Sequence, residues 1–112
     1  MSRITCPELS TKIVTADVAA RHIDNGQRVA MSGFTGSGYP KAVPGAVAAR
    51  AQAAHEKGAD FRVELWTGAS TAPELDGVLA EANAVSKRLP FQSDPAMRAS
   101  INSGDTNSSF PY

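Results

Sequence analysis

The sequence predicts an α/β protein built on a parallel sheet. Two strand-like runs, "RVAM" over 28–31 and "FRVELWT" over 61–67, each end in a glycine-rich turn, and a helix-period segment follows each turn. Helix, strand, turn, helix, strand, turn and helix thus alternate along the chain, the pattern of a parallel sheet with helical crossovers. In such sheets ligands bind beyond the C-terminal ends of the strands. The turns "GFTGSGYP" and "TGAST" are therefore expected to be neighbours on one edge, and a site is expected there.

The elements follow in order. Thr15 is an N-cap, Asp17 lies in the first turn where the helix dipole favours an acid, and Val18, Ala19, His22 and Ile23 share a face. Gly26 supplies a stop, so a helix is expected over 16–25. A short strand over 28–31 leads into the glycine loop. After it, Val43, Val47, Ala51 and Ala54 recur at helical spacing, Pro44 suits a first turn, and Gly58 closes the helix behind His55 and Lys57. The alanine and valine face of that helix is thin, which lets it lie close to a sheet.

In the 61–67 run, Phe61, Val63, Leu65 and Thr67 alternate with Arg62, Glu64 and Trp66, the clearest strand pattern in the chain. A helix over 74–83 places Leu75, Val78, Leu79 and Ala82 on one side and is weakened by Gly77. "AVSKRLPF" is a short third strand. "SDPAMRASINSG" gives an N-cap at Ser93 or Asp94, Pro95 in the first turn and a helix to about residue 102. The closing "SGDTNSSFPY" has turn composition and no periodic pattern.

Composition bounds the function. The chain has 112 residues, enough for one modest domain. Its formal net charge is zero, without the basic stripe of a nucleic-acid binder. No apolar run approaches the ~20 residues of a membrane span, and "MSRITCPELS" is too polar for a signal peptide. One cysteine, Cys6, allows no internal disulfide, and a reducing, cytoplasmic location is expected. Nothing near Cys6 resembles the base a nucleophile needs. His22 and His55 read as packed, capping or solvated histidines, and no metal site is expected.

The stretch "SGFTGSGYPKAVP" raises the functional question, since glycine is needed where φ is positive or where a ligand approaches bare backbone. Gly33, Gly36 and Gly38 read G-x-x-G-x-G, whereas the dinucleotide fingerprint is G-x-G-x-x-G. Gly33 and Gly38 have the separation of a phosphate loop, but Tyr39 stands where its lysine belongs. A nucleotide- or phosphate-binding module is thus the weaker alternative. A purely structural turn and a ligand-facing loop both fit the glycines, and the second hydroxyl-rich turn on the same edge favours the ligand.

"SGFTGSGYPKAVP", "ELWTGASTAPELDGVLAEANAVSKRLPF" and "SDPAMRASINSG", in that order, resemble the N-terminal part of the acetyl-CoA hydrolase/transferase family, the class I coenzyme A transferases. The resemblance runs over about 13–105 and implies a three-layer parallel-sheet lobe, incomplete here. Residues 1–112 would be the N-terminal part of a first lobe, with the second lobe absent. It implies a reaction in which a glutamate attacks an acyl-CoA thioester, and coenzyme A and then a carboxylate such as acetate, propionate or succinate exchange on it. That glutamate belongs to the second lobe, and none of Glu8, Glu56, Glu64, Glu74 or Glu81 lies in a matching motif, so no catalytic residue is assigned.

By the same resemblance Ser70 and Ser93 are carboxylate-binding hydroxyls, Ser93 being equally an N-cap. Gly33, Phe34, Thr35 and Gly36 form the segment that closes over the thioester, and Arg98 is either a pocket residue or a helix-surface cation. The acyl-CoA is a substrate, with no permanently bound cofactor, and the full-length enzyme is expected to be a homodimer. After "INSGDTN" the sequence departs from the family pattern: "SSFPY" stands where members carry an aromatic and acidic stretch. A shortened or disrupted copy that does not act alone is the expectation.

Overall fold

The computed structural model describes residues 5–89 and 94–108. In order they form α1 (Pro7–Ser10), α2 (Ala16–Ala20), β1 (Arg28–Ala30), α3 (Val43–Glu56), β2 (Val63–Trp66), a π-helical turn (Pro73–Gly77) running into α4 (Val78–Glu81), β3 (Val85–Leu89), α5 (Pro95–Ser103) and β4 (Asn107–Ser108). The four strands lie in sequence order β1-β2-β3-β4, all parallel. The chain is an incomplete α/β lobe, as the residue pattern and the family resemblance both implied.

That strand order fixes the layering. Each crossover joins adjacent parallel strands, and crossovers of this kind are almost always right-handed, which places their helices on one face. Accordingly α2 packs on α3, α3 on α4 and α4 on α5. The core lies between this layer and the sheet: Val63, Leu65 and Val85 from the strands meet Val47, Ala51, Leu75, Leu79 and Met97. Val47, Ala48 and Ala51 let α3 sit close, as its thin face requires. The described residues thus supply two layers, 19 Å through the thinnest direction. The other sheet face carries Arg28, Glu64, Trp66 and Lys87, none of them buried.

The local chemistry accounts for most boundaries. Thr15 accepts from Val18 N and Asp94 accepts from Ala96 N and Met97 N, so both expected caps operate, the second at Asp94. Pro44 and Pro95 sit in first turns, and Gly58 and Gly104 follow their helices at φ of 76° and 88°.

The sequence expectation needs three corrections. The helix expected over 16–25 stops at Ala20, because Arg50 of α3 donates to the carbonyls of Ala20 and Ile23. The chain then turns to place Asn25 and Gly26 against the backbone of Arg62. The helix expected over 74–83 opens as the π turn, with Gly77 at the join. The tail read as turn contains β4, where Thr106 is buried and donates to Val85 O.

Candidate functional site

Two corners at the C-terminal ends of β1 and β2 meet. Met31 N donates to Trp66 O at 2.8 Å, so the strands stay paired up to the point where both chains leave the sheet. In the first corner, Ser32 Oγ closes the glycine loop on Gly38 O, and Phe34 and Ser37 exchange backbone hydrogen bonds of 2.9 Å. Thr35 and Gly36 are left at the tip, at φ of 49° and 83°. Two positive φ values in a two-residue connection are the mark of a type I′ turn. Tyr39 anchors the loop's exit by donating to Glu74 on the π turn, and Lys41 lies over its ring. That carboxylate pushes the Tyr39 phenol up from its ordinary value.

The second corner begins where Thr67 N donates to Leu89 O. Gly68 then passes so close to the first corner that a methyl group on it would lie 2.1 Å from Gly33 O. A methyl on Gly33 would in turn lie 2.9 Å from Tyr39 Cβ and 3.1 Å from Thr71 Cγ2. These two glycines make room for the neighbouring corner and the loop's own exit. At Gly36 nothing lies within 4 Å of such a methyl, so its surroundings are open. The corners are tied by Thr35 N, which donates to Ala69 O at 3.0 Å and to Ser70 O at 2.8 Å.

Ser70 adopts φ 59°. Among the described non-glycine residues only Thr35, Ser70 and Asn83 have positive φ, so two of the three face each other here. Such backbone costs roughly 1–3 kcal/mol per residue and gathers at functional sites. The Ser70 residue is 7% exposed and its hydroxyl bonds to no other described residue. The one fully sealed, unpartnered side-chain polar atom among the described residues is Arg62 Nε, so Ser70 Oγ retains access to solvent. Phe34 is 60% exposed at the rim.

Behind the second corner lies a network that the sequence did not reveal. Asp76 and Arg88 are fully buried. Arg88 Nε donates to Asp76 Oδ1 at 2.7 Å and Nη2 to Oδ2 at 3.0 Å, while Thr71 donates to Oδ2 through N at 3.1 Å and Oγ1 at 2.5 Å. Arg88 falls in the short third strand expected over "AVSKRLPF", a run whose sequence assigns it no face. The register shift between β2 and β3 pairs it with the buried Leu65.

The structure therefore brings Gly33, Phe34, Thr35, Gly36 and Ser70 together. Ser93 lies outside the described residues, and Arg98 is exposed on α5. On the open sheet face Glu64 accepts from Arg28 and from Trp66 Nε1, with Lys87 Nζ 3.9 Å away. The Arg28 contact, then the Trp66 bond, holds its carboxyl below the ordinary range. Cys6 is exposed and donates to Glu8, and His55 Nε2 lies 3.2 Å from Phe61 O. No three His, Cys, Asp or Glu side chains converge among the described residues. None of the described helices is long and apolar enough to cross a membrane. A hollow of about 510 Å³ lies elsewhere, lined by Asn83, Ala99 and Ser103 among others.

A family model described as the acetyl-CoA hydrolase/transferase N-terminal domain matches residues 5–110. The chain is 48% identical over 102 residues to a succinyl-CoA:acetate CoA-transferase of Clostridium kluyveri, covering 91% of this chain and 18% of that protein. It is 45% identical over 91 residues to a propanoyl-CoA:succinate CoA transferase of Escherichia coli, covering 81% and 18%. It is 38% identical over 104 residues to an acetyl-CoA hydrolase of Schizosaccharomyces pombe, covering 92% and 20%. The chain thus spans about a fifth of the length of these relatives.

Proposed function

Because the chain belongs to the acetyl-CoA hydrolase/transferase N-terminal domain family, we propose that it supplies one wall of a small-carboxylate pocket for acyl-CoA:carboxylate CoA transfer or acetyl-CoA hydrolysis. The observation that carries this reading is Ser70: a buried residue in a strained turn, tied by backbone to the tip of the glycine loop, whose hydroxyl bonds to no other described residue and keeps access to solvent. A hydroxyl donates one hydrogen bond without bringing charge of its own, which suits reversible capture of acetate, propionate or succinate. Those acids match the substrates named for the transferase relatives. Ser93 is the second hydroxyl of this wall.

The Gly36 N–H, in open surroundings at the tip, is the backbone donor for a developing thioester oxyanion. Phe34 covers the reacting centre and limits access of water, on which the balance of transfer against hydrolysis depends. Coenzyme A arrives and leaves as the thioester substrate, and the protein holds no resident cofactor.

The chain brings no nucleophile. Glu64 is engaged by Arg28 and Trp66, and Glu74 accepts from Tyr39. Glu8, Glu56 and Glu81 are exposed, on α1, α3 and α4. The attacking glutamate comes from a second lobe, of which residues 1–112 form no part, and the complete enzyme is a cytoplasmic homodimer. The charge-paired row of Arg28, Glu64 and Lys87, which lets the uncovered sheet face meet water, favours a second reading in which the lobe stands alone and does no chemistry.

Mixing decides between them. The chain is incubated with acetyl-CoA and succinate, with and without the separately produced remainder of the Clostridium kluyveri relative. Succinyl-CoA forms only in the mixture if the wall reading holds; its absence there favours the stand-alone lobe, and activity of the chain alone overturns the second-lobe assignment. In the active mixture Ser70→Ala raises the carboxylate KM about 10- to 100-fold, the effect of a lost hydrogen bond to a charged group.

A further inference from the structure

The proposed wall depends on the conformation of one peptide plane, that between Ser70 and Thr71. Its carbonyl, Ser70 O, accepts from Thr35 N at 2.8 Å. Its N–H, on Thr71, donates to Asp76 Oδ2 at 3.1 Å. The plane is pinned on one edge by the glycine loop and on the other by a buried carboxylate. Ser70 at φ 59° immediately precedes it, so rotation of the plane changes ψ of Ser70 and moves the Thr35–Gly36 tip. Asp76 also accepts from Thr71 Oγ1, and its own N–H donates back to that oxygen at 3.3 Å.

Arg88 holds this carboxylate in its aim. It is fully buried, grips both oxygens in a fork, and donates through Nη1 to Leu89 O at 2.6 Å. Leu89 O also accepts from Thr67 N, the first residue of the corner. The pair thus reaches the corner twice, at Thr67 through β3 and at Thr71 directly. A buried ion pair is weak evidence for stability in itself, since two apolar residues often fill the same space as well. Four acceptor contacts converging on one carboxylate behind a strained serine suggest another use.

We propose that Asp76, held by Arg88, is a positioning residue that fixes the Ser70–Thr71 peptide and thereby the Ser70 hydroxyl and the Thr35–Gly36 tip for carboxylate binding. This deepens the pocket-wall reading and rests on it.

The test uses the full 112-residue chain, ¹⁵N-labelled, in two variants. Asp76→Asn keeps the shape but loses charge, and its amide NH₂ accepts nothing. Asp76→Leu with Arg88→Met replaces the pair by apolar residues of similar size. Amide hydrogen exchange is read at Thr35, whose acceptors neither variant touches, against Leu65 in β2. The expected result is exchange at Thr35 faster by at least about tenfold while Leu65 is unchanged, the signature of local rather than global opening. In parallel, sodium acetate is titrated while the Ser70 and Gly36 amide shifts are followed, and the variants' apparent Kd rises at least about tenfold.

Parent-like protection at Thr35 overturns the proposal. So does a rise at Thr35 matched by Leu65, or failure of both variants to fold, either of which makes the pair a determinant of the fold alone. Absence of any acetate response in the unsubstituted chain counts against the carboxylate reading, while the exchange contrast still decides whether the clamp exists.

Discussion

At the scale of single residues, the glycines that first drew attention divide into two kinds that sequence could not separate. Gly68 is required by contact and Gly36 by backbone angle. Gly68→Ala forces a methyl against Gly33 O, which backbone cannot yield without parting the corners, so a loss of about 3 kcal/mol is expected. Gly36→Ala meets no neighbour and costs only the left-handed backbone, about 1 kcal/mol. Urea unfolding midpoints of the two variants check the order. Thr35 and Ser70 gave no warning in sequence of their positive φ, because nothing in a Thr or Ser codon position announces strain imposed by tertiary contacts. Arg88 was hidden for a related reason: a one-residue shift in register turns a side chain to the opposite face of a sheet.

Glu64 supplies a prediction at the same scale. Its folded-state pKa is depressed first by the Arg28 hydrogen bond and then by that of Trp66, with a smaller contribution from the charge of Lys87. A depressed carboxyl contributes stability above its unfolded value of about 4.3 and loses it as pH falls through the lower folded value. Resistance to chemical unfolding is therefore expected to fall on acidification from about pH 6 to about pH 3, a range that brackets that value, and to fall less in Glu64→Gln. Equal slopes for the two proteins would remove Glu64 from the acid response.

At the scale of elements, local signals were legible where the chain itself satisfies its backbone. Thr15, Pro44, Gly58, Asp94, Pro95 and Gly104 all act as their chemistry suggests. Asp94→Ala removes the acceptor for Ala96 N and Met97 N beside the buried Met97, and a loss of about 1 kcal/mol is expected by thermal or urea unfolding. Illegible elements were those decided from a distance. The early end of α2 is imposed by Arg50, thirty positions on from Ala20 in sequence. β4 exists because Asn107 and Ser108 find Lys87 and Arg88, and two residues are too few for a period. The meeting of the two strand-end corners, by contrast, follows from α/β topology once both turns are placed after parallel strands. Their interlocking through Gly33 and Gly68 does not.

At the scale of the whole molecule, the decisive feature is the face that the described helices leave uncovered. Parallel sheets are normally buried on both sides, and strands in sequential order send every right-handed crossover to the same side. Here the remaining face bears a cross-strand row, Arg28, Glu64 and Lys87, beside Trp66 with the Arg28 guanidinium 5.0 Å from its ring centre. Charge pairing in register lets this face meet water without fraying the sheet, yet leaves a large aromatic ring half in solvent. Trp66 is the single tryptophan of the chain, so its fluorescence reports that face alone. In the isolated chain its emission is expected to be readily quenched by acrylamide and to change when acid releases Glu64 from the indole N–H. Addition of the remainder of a full-length relative, which would lay a further layer on the sheet, is expected to shift the emission to the blue and to lower the quenching constant at least about twofold, as burial of an aromatic ring requires. Unchanged quenching in a mixture that has gained transferase activity would place the joining surface elsewhere and leave this face solvent-exposed even in the assembled enzyme.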